Sequence, residues 1–113
     1  MRFHQVALIA LAIAAWFFMF RFRKTSSAVA HRLVAAGARL VDVRTPGEFA
    51  GGHLPGAVNI PLDQLRARVG ELKNEPKPVV VYCASGMRSG QARRLLVGEG
   101  IAEVHDLGGM NRW

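Results

Sequence analysis

Residues 79–82, Val-Val-Val-Tyr, restrict the fold of this chain more than any other stretch. A β-branched run without polar alternation reads as a strand buried on both faces, and such a strand needs helices packed above and below it. The flanking signals agree. Ser26 or Ser27 can cap a helix in which Val29, Leu33 and Val34 recur at helical spacing until Gly37 ends it. Residues 40–43 and 57–60 read as short strands. Pro61 opens a helix with Leu62, Leu65, Val69 and Leu72 on one face. After the proline-broken "KNEPKP" come the strand at 79–82 and a helix over 89–97, with Ala92, Leu95 and Leu96 inward and Gly98 as its stop. A last strand covers 103–107. The alternation predicts an α/β fold, a small parallel sheet with helices on both faces.

The 113 residues hold at most one such domain, and the first 24 differ from the rest. They contain Arg2, Arg21, Arg23 and Lys24 and no acid, four of the formal +7. The high pI is therefore largely a property of this leader. The remaining basic residues are scattered and aromatics are few, which argues against nucleic acid as a partner. Within the leader, "VALIALAIAAWFFMF" (residues 6–20) is an unbroken apolar run. As a helix it covers roughly 22 Å against a bilayer core of about 30 Å. Residues 3–5 and 21–22, with their polar ends snorkelling, bring it to spanning length. The cluster Trp16, Phe17, Phe18, Phe20 and Phe22 suits an interfacial belt. The expectation is a membrane anchor over residues 1–24, with a transmembrane helix at about 5–21, followed by the α/β domain over 25–113. Arg21, Arg23 and Lys24 outweigh Arg2, so this single-pass arrangement places the domain on the cytoplasmic side. A cleavable signal peptide, with Ala28-Val29-Ala30 as its small-x-small site and a periplasmic product, is one alternative. A buried core helix is another.

The only cysteine, Cys83, follows the apolar strand directly. One thiol cannot form an internal disulfide, which leans towards a reducing compartment. His4, His31, His53 and His105 show no metal-ligand spacing with Cys83 or with acids, so no metal is expected. A lone buried cysteine is ordinarily a small hydrophobe. Here, however, it occupies the carboxyl end of a strand, where open parallel sheets place their chemistry, and its loop leads into a helix N-terminus. Backbone N–H groups and the helix dipole favour an anion there, and Arg88 adds positive charge. Both favour thiolate over thiol. Gly86 permits the sharp turn such a cradle needs.

"LVDVRTPGEFAGGHLPGAVNIP" (residues 40–61), "VVVYCASGMRS" (79–89) and "LGGMNRW" (107–113) resemble, in order, the three motifs of the single-domain rhodanese sulfurtransferases. The resemblance covers most of residues 26–113. It implies a rhodanese-like α/β fold and sulfane-sulfur transfer. Cys83 would attack the outer sulfur of a small donor, hold it as a persulfide, and yield it to a thiol or to cyanide. Ala84, Ser85, Gly86, Met87, Arg88 and Ser89 would form the N–H cradle that stabilises thiolate and persulfide. Arg88 would assist anionic donors. No cofactor is implied. Asp42, Arg44 and Glu48 are expected to form an ion-pair network fixing the loop after the first strand. His53, Met110 and Trp113 are expected to pack.

The sequence also departs from the family pattern. Ala84 and Ser85 stand where thiosulfate:cyanide enzymes carry cations, and Glu48 where they carry an arginine, which counts against thiosulfate as the physiological donor. Relatives usually continue past the position of Trp113 into a final helix, and "RFRKTSS" replaces their first edge strand. A second hypothesis is a sulfur-carrier module that takes its sulfur from a persulfide-bearing protein, with little turnover of small molecules. A third is a phosphatase. Tyrosine-type cysteine phosphatases separate Cys and Arg by five residues, whereas four separate Cys83 from Arg88. The shorter loop predicts a cradle sized for sulfur.

Overall fold

The apolar run at 79–82 is the centre of the sheet. The computed structural model describes residues 2–21 and 23–113, apart from the side chains of residues 17–22. Strands β1 (Arg39–Asp42), β2 (Val58–Asn59), β3 (Val79–Cys83) and β4 (Val104–Gly109) are all parallel, in the order β2-β1-β3-β4. Every residue of β3 is fully buried. Successive side chains of a strand point to opposite faces. Val79, Val81 and Cys83 accordingly pack with Leu65, Leu72, Ala92 and Leu96, while Val80 and Tyr82 pack with Ala30, Leu54 and Leu107 on the other face. The two-sided cover expected of such a strand is present. One consequence is functional: the period of two sends the Cys83 sulfur to the face on which the next helix begins.

Helices α1 (Phe3–Arg21) and α2 (Ser27–Ala35) precede the first strand, and α3 (Pro46–Ala50), α4 (Val69–Lys73) and α5 (Met87–Gly98) lie in the connections between successive strands. Ser26 caps α2, its hydroxyl accepting from the Val29 N–H, and Gly37 ends the segment at φ +104°. The helix expected from Pro61 is broken into a 3-10 turn (Leu62–Gln64) and α4, because the backbone at Arg68 leaves helical geometry (φ −105°, ψ 9°). Its apolar positions still share one cluster: Leu65 and Leu72 are buried, and Leu62 and Val69 pack against them. Helix α5 starts at Met87, two positions before the expected Ser89, and Gly100 rather than Gly98 provides the left-handed residue after it. Opposite Val81 and Tyr82 stand Asp106 and Gly108, so Leu107 is the extra residue of a bulge. That bulge brings Gly109 beside Cys83.

The leader corrects an expectation. Among the described residues no helix is long and apolar enough to cross a membrane. The membrane anchor over 1–24, the transmembrane helix at about 5–21 and the single-pass protein facing the cytoplasm are therefore not supported. The physical reason is length. The unbroken apolar run of residues 6–20 falls short of a bilayer core, and extending it enlists His4, Gln5 and Arg21. Trp16 is exposed. The side chains of Phe17, Phe18, Phe20 and Phe22, invoked for an aromatic belt, lie outside the described residues.

The packing on the Cys83 face can be tested directly. Leu96 is fully buried, whereas its neighbour Val97 is 44% exposed. Leu96→Ala should cost about 2–5 kcal/mol in chemical denaturation. Val97→Ala should stay within about 0.5 kcal/mol of the parent.

Candidate active site

Cys83 is the last residue of β3, which runs one residue further than the strand expected at 79–82. The chain then turns through Ala84 and Ser85, both exposed, to Gly86, whose φ of +108° and ψ of −11° place it in the left-handed region. A side chain there would be strained, and glycine adopts the geometry freely. The turn folds the backbone over the sulfur. The Gly86 N–H donates to Cys83 Sγ at 2.9 Å, and the Ser89 N–H, in the first turn of α5, donates at 3.4 Å. Burial pushes the Cys83 thiol up, but hydrogen bonds from Ser89 and from the Gly86 and Ser85 N–H groups outweigh it, so the pKa is lowered. The Ser89 hydroxyl also lies 3.1 Å from the Gly86 carbonyl oxygen. With one proton it serves one acceptor at a time.

Arg88 lies on the first turn of α5 but gives its guanidinium to Glu48. Nη1 meets Oε1 at 2.6 Å and Nη2 meets Oε2 at 3.0 Å, a bidentate pair. Glu48 is positioned locally by a capping box: the Thr45 hydroxyl accepts from the Glu48 N–H, and the Glu48 carboxylate accepts from the Thr45 N–H. Arg88 and then the Thr45 N–H hold the Glu48 carboxyl down at about 2. A depressed carboxyl contributes above its ordinary value and loses that contribution as pH falls through the folded one. The pair is therefore intact at neutral pH and weakens only from about 4.5 down towards about 2.

Glu48 does not join Asp42 and Arg44. Those two form their own buried pair, with Arg44 Nη2 at 2.7 Å from Asp42 Oδ2. Arg44 also donates to the Gly52 carbonyl at 2.7 Å, which closes the loop after β1. Tyr82 supports the same cluster. Its hydroxyl accepts from the Leu54 N–H at 3.0 Å, and burial, with a hydrogen bond to Asp42, pushes its pKa up to about 12. The loop residues Ala84–Ser89 thus surround the sulfur, Glu48 reaches the loop through Arg88, and Asp42 and Arg44 stand behind it. His53 stacks on Phe49, while Met110 and Trp113 pack on the Tyr82 face of the core.

Two further residues touch the loop. A Cβ on Gly109 would stand 2.8 Å from the Ala84 carbonyl oxygen, so any side chain there would displace the turn. The "GG" of the closing motif was its only sequence signal. The second is Lys24, whose ammonium donates to the Gly86 carbonyl at 2.9 Å. Its place in the basic flank of the leader concealed it.

Residues 26–113 match the family model described as "Rhodanese-like domain". The chain is 42% identical over 108 residues to the uncharacterized protein YqhL of Bacillus subtilis, covering 95% of this chain and 85% of that one. It is 38% identical over 104 residues to the chloroplastic thiosulfate sulfurtransferase 16 of Arabidopsis thaliana, covering 78% and 83%. The human single-domain sulfurtransferase TSTD1 superposes with a TM-score of 0.65 at 30% identity, over 80% of this chain and 90% of that structure.

The lowered thiol pKa has a direct readout. Because Cys83 is covered, access sets the plateau rate of alkylation by iodoacetamide, whereas the pKa sets the midpoint of its pH profile. That midpoint should lie below the value of about 8.5 of free cysteine. Ser89→Ala should raise it, and a midpoint at or above that of free cysteine would contradict the N–H cradle.

Proposed function

The chain belongs to the rhodanese-like domain family, and from that premise we infer that it is a rhodanese-type sulfurtransferase whose carrier is a persulfide on Cys83. The observation that supports this most is the 2.9 Å hydrogen bond from the Gly86 N–H to a buried sulfur at a helix N-terminus. It favours an anionic sulfur without a side-chain base. In the first half-reaction the Cys83 thiolate attacks the outer sulfur of a sulfane donor. A new S–S bond forms, the donor's own bond to that sulfur breaks, and its remainder leaves with the electron pair, as sulfite if the donor is thiosulfate. In the second, a thiolate or cyanide attacks the same outer sulfur and Cys83 leaves as thiolate. No net oxidant is needed. We assign Ala84–Ser89 to stabilising the thiolate and persulfide, and Asp42, Arg44 and Glu48 to holding the surrounding loops. The catalytic domain is assigned to residues 25–113, a division supported by the Thr25 N–H, which donates to the Asp106 carbonyl at 2.7 Å.

The electrostatics bear on donor choice. Ala84 and Ser85 bring no cation, and the charge of Arg88 is matched by Glu48. Met87, 76% exposed, presents an apolar side chain at the start of α5. This combination favours a persulfide-bearing protein over thiosulfate as the donor in use. It also disfavours phosphate esters, because the arginine of the loop is turned onto a carboxylate.

Mass spectrometry of Cys83 after exposure to a panel of sulfane donors should show one added sulfur, removed again by cyanide or a thiol. Aryl phosphates should remain intact. Phosphate hydrolysis dependent on Cys83, with no persulfide from any donor, would overturn the assignment. Glu48→Gln frees the charge of Arg88. It should raise kcat/KM for thiosulfate about two- to fivefold relative to a neutral donor, the scale of one exposed ion pair. Equal change for both donors would show that Arg88 does not act on donor charge.

A further inference from the structure

Lys24 stands two residues before the stretch that matches the family, yet its side chain reaches the sulfur-binding turn. Its ammonium donates to the Gly86 carbonyl oxygen at 2.9 Å and to Asp106 Oδ2 at 2.5 Å. Gly86 is also the residue whose N–H makes the 2.9 Å bond to Cys83 Sγ. The same residue is thus gripped at its oxygen by Lys24 and presents its N–H to the sulfur. Asp106 is 5% exposed and is fixed from its other oxygen, where Oδ1 accepts from the Gly108 N–H at 2.9 Å. The bulge of β4 therefore anchors the carboxylate, the carboxylate anchors the ammonium, and the ammonium anchors the turn.

Glycines line the path of the lysine stem. A Cβ at Gly86 would stand 3.7 Å from Lys24 Cε, and one at Gly108 would stand 3.4 Å from Cδ. Gly86 and Gly108 both have positive φ, so neither position readily accepts a side chain that would displace the lysine. The Gly86 carbonyl also takes the Ser89 hydroxyl and, at 3.3 Å, the Gly90 N–H of α5. The charged donor among its three partners is Lys24, and charge-assisted hydrogen bonds are roughly twice as strong as neutral ones.

We propose that Lys24 is a positioning residue for sulfur transfer, one that pins the Gly86–Met87 peptide by its oxygen and thereby fixes the backbone angles of Gly86, so that the N–H of the preceding peptide stays directed at the Cys83 sulfur as thiolate and persulfide interconvert. This rests on the sulfur-transfer reading for its catalytic consequence, but its effect on the thiol can be read without any sulfur donor.

The experiment uses the full chain with Lys24→Met, which keeps the stem and removes the charge; Lys24→Ala, which removes the stem as well; and Lys24→Arg, which restores charge and donors. In the Met and Ala variants the midpoint of the iodoacetamide pH profile should rise by about half a unit, and kcat/KM for thiosulfate should fall about tenfold, the scale of one lost charged hydrogen bond. The Arg variant should recover most of both. Met and Ala variants with the parental midpoint and turnover would overturn the proposal. So would a loss of turnover that follows a lowered melting temperature, leaves the midpoint unmoved and is not restored by Arg. If the parent forms no persulfide with any donor, the sulfur-transfer reading fails, while the alkylation midpoints still decide whether Lys24 acts on the thiol.

Discussion

The hydrogen bond from the Gly86 N–H to the Cys83 sulfur is the contact on which the rest of the site depends. A buried thiolate is costly unless donors are already in place. Here they come from the backbone, fixed by a left-handed glycine at the start of a twelve-residue helix. The sheet delivers the sulfur to that point. Strand β3 is buried on both faces, its alternation sends Cys83 towards α5, and the β4 bulge sets Gly109 against the turn. Preorganised dipoles of this kind need little rearrangement when charge moves between the cysteine sulfur and a second sulfur atom.

Side-chain charge around the loop is arranged differently. Among the described residues, three cations at or behind the loop are paired with carboxylates: Arg44 with Asp42, Arg88 with Glu48, and Lys24 with Asp106. The pairs differ in depth. Asp42 and Arg44 are buried, and removing one partner would leave an uncompensated charge, the costly way to break such a pair. The Glu48–Arg88 pair is about one-third exposed on both sides, so its worth is screened by water and salt. In the proposed reading the first pair acts as scaffold, whereas the second sets how much of the Arg88 charge an approaching donor meets. In this reading the backbone donors favour anionic sulfur, and the guanidinium of the loop itself is held by a carboxylate.

Much of this was legible in the sequence. The β-branched run at 79–82 identified the central strand, and helical spacing identified the inward face of α5; on α2 it found Leu33 and Val34 but passed over Ala30, the buried residue of that helix. The cysteine at a strand end before a glycine turn pointed to the candidate site, and the structure surrounds its sulfur with that turn. What the sequence hid were long-range partners. Nothing at Glu48 announces that it will bind Arg88, forty positions away, rather than Arg44 nearby. Lys24 read as a flank of an apolar segment because its partners, Gly86 and Asp106, come from the far half of the chain. The early start of α5 was missed because Met87 and Arg88 carry no capping signal, and the left-handed backbone at Gly86 does that work. The membrane anchor failed for a different reason. Hydrophobic composition suggested it, but the length of unbroken apolar helix did not support it.

The central claim is that backbone N–H groups, and not a free cation, stabilise the sulfur carried on Cys83. A crystal structure of the protein after reaction with a sulfane donor tests it most directly. The account predicts one added sulfur atom on Cys83 Sγ, seated within hydrogen-bonding distance of N–H groups of residues 84–89, with the Arg88–Glu48 pair unbroken. Arg88 turned away from Glu48 to contact the added sulfur, or a persulfide pointing out of the turn with no backbone donors near it, would contradict the account.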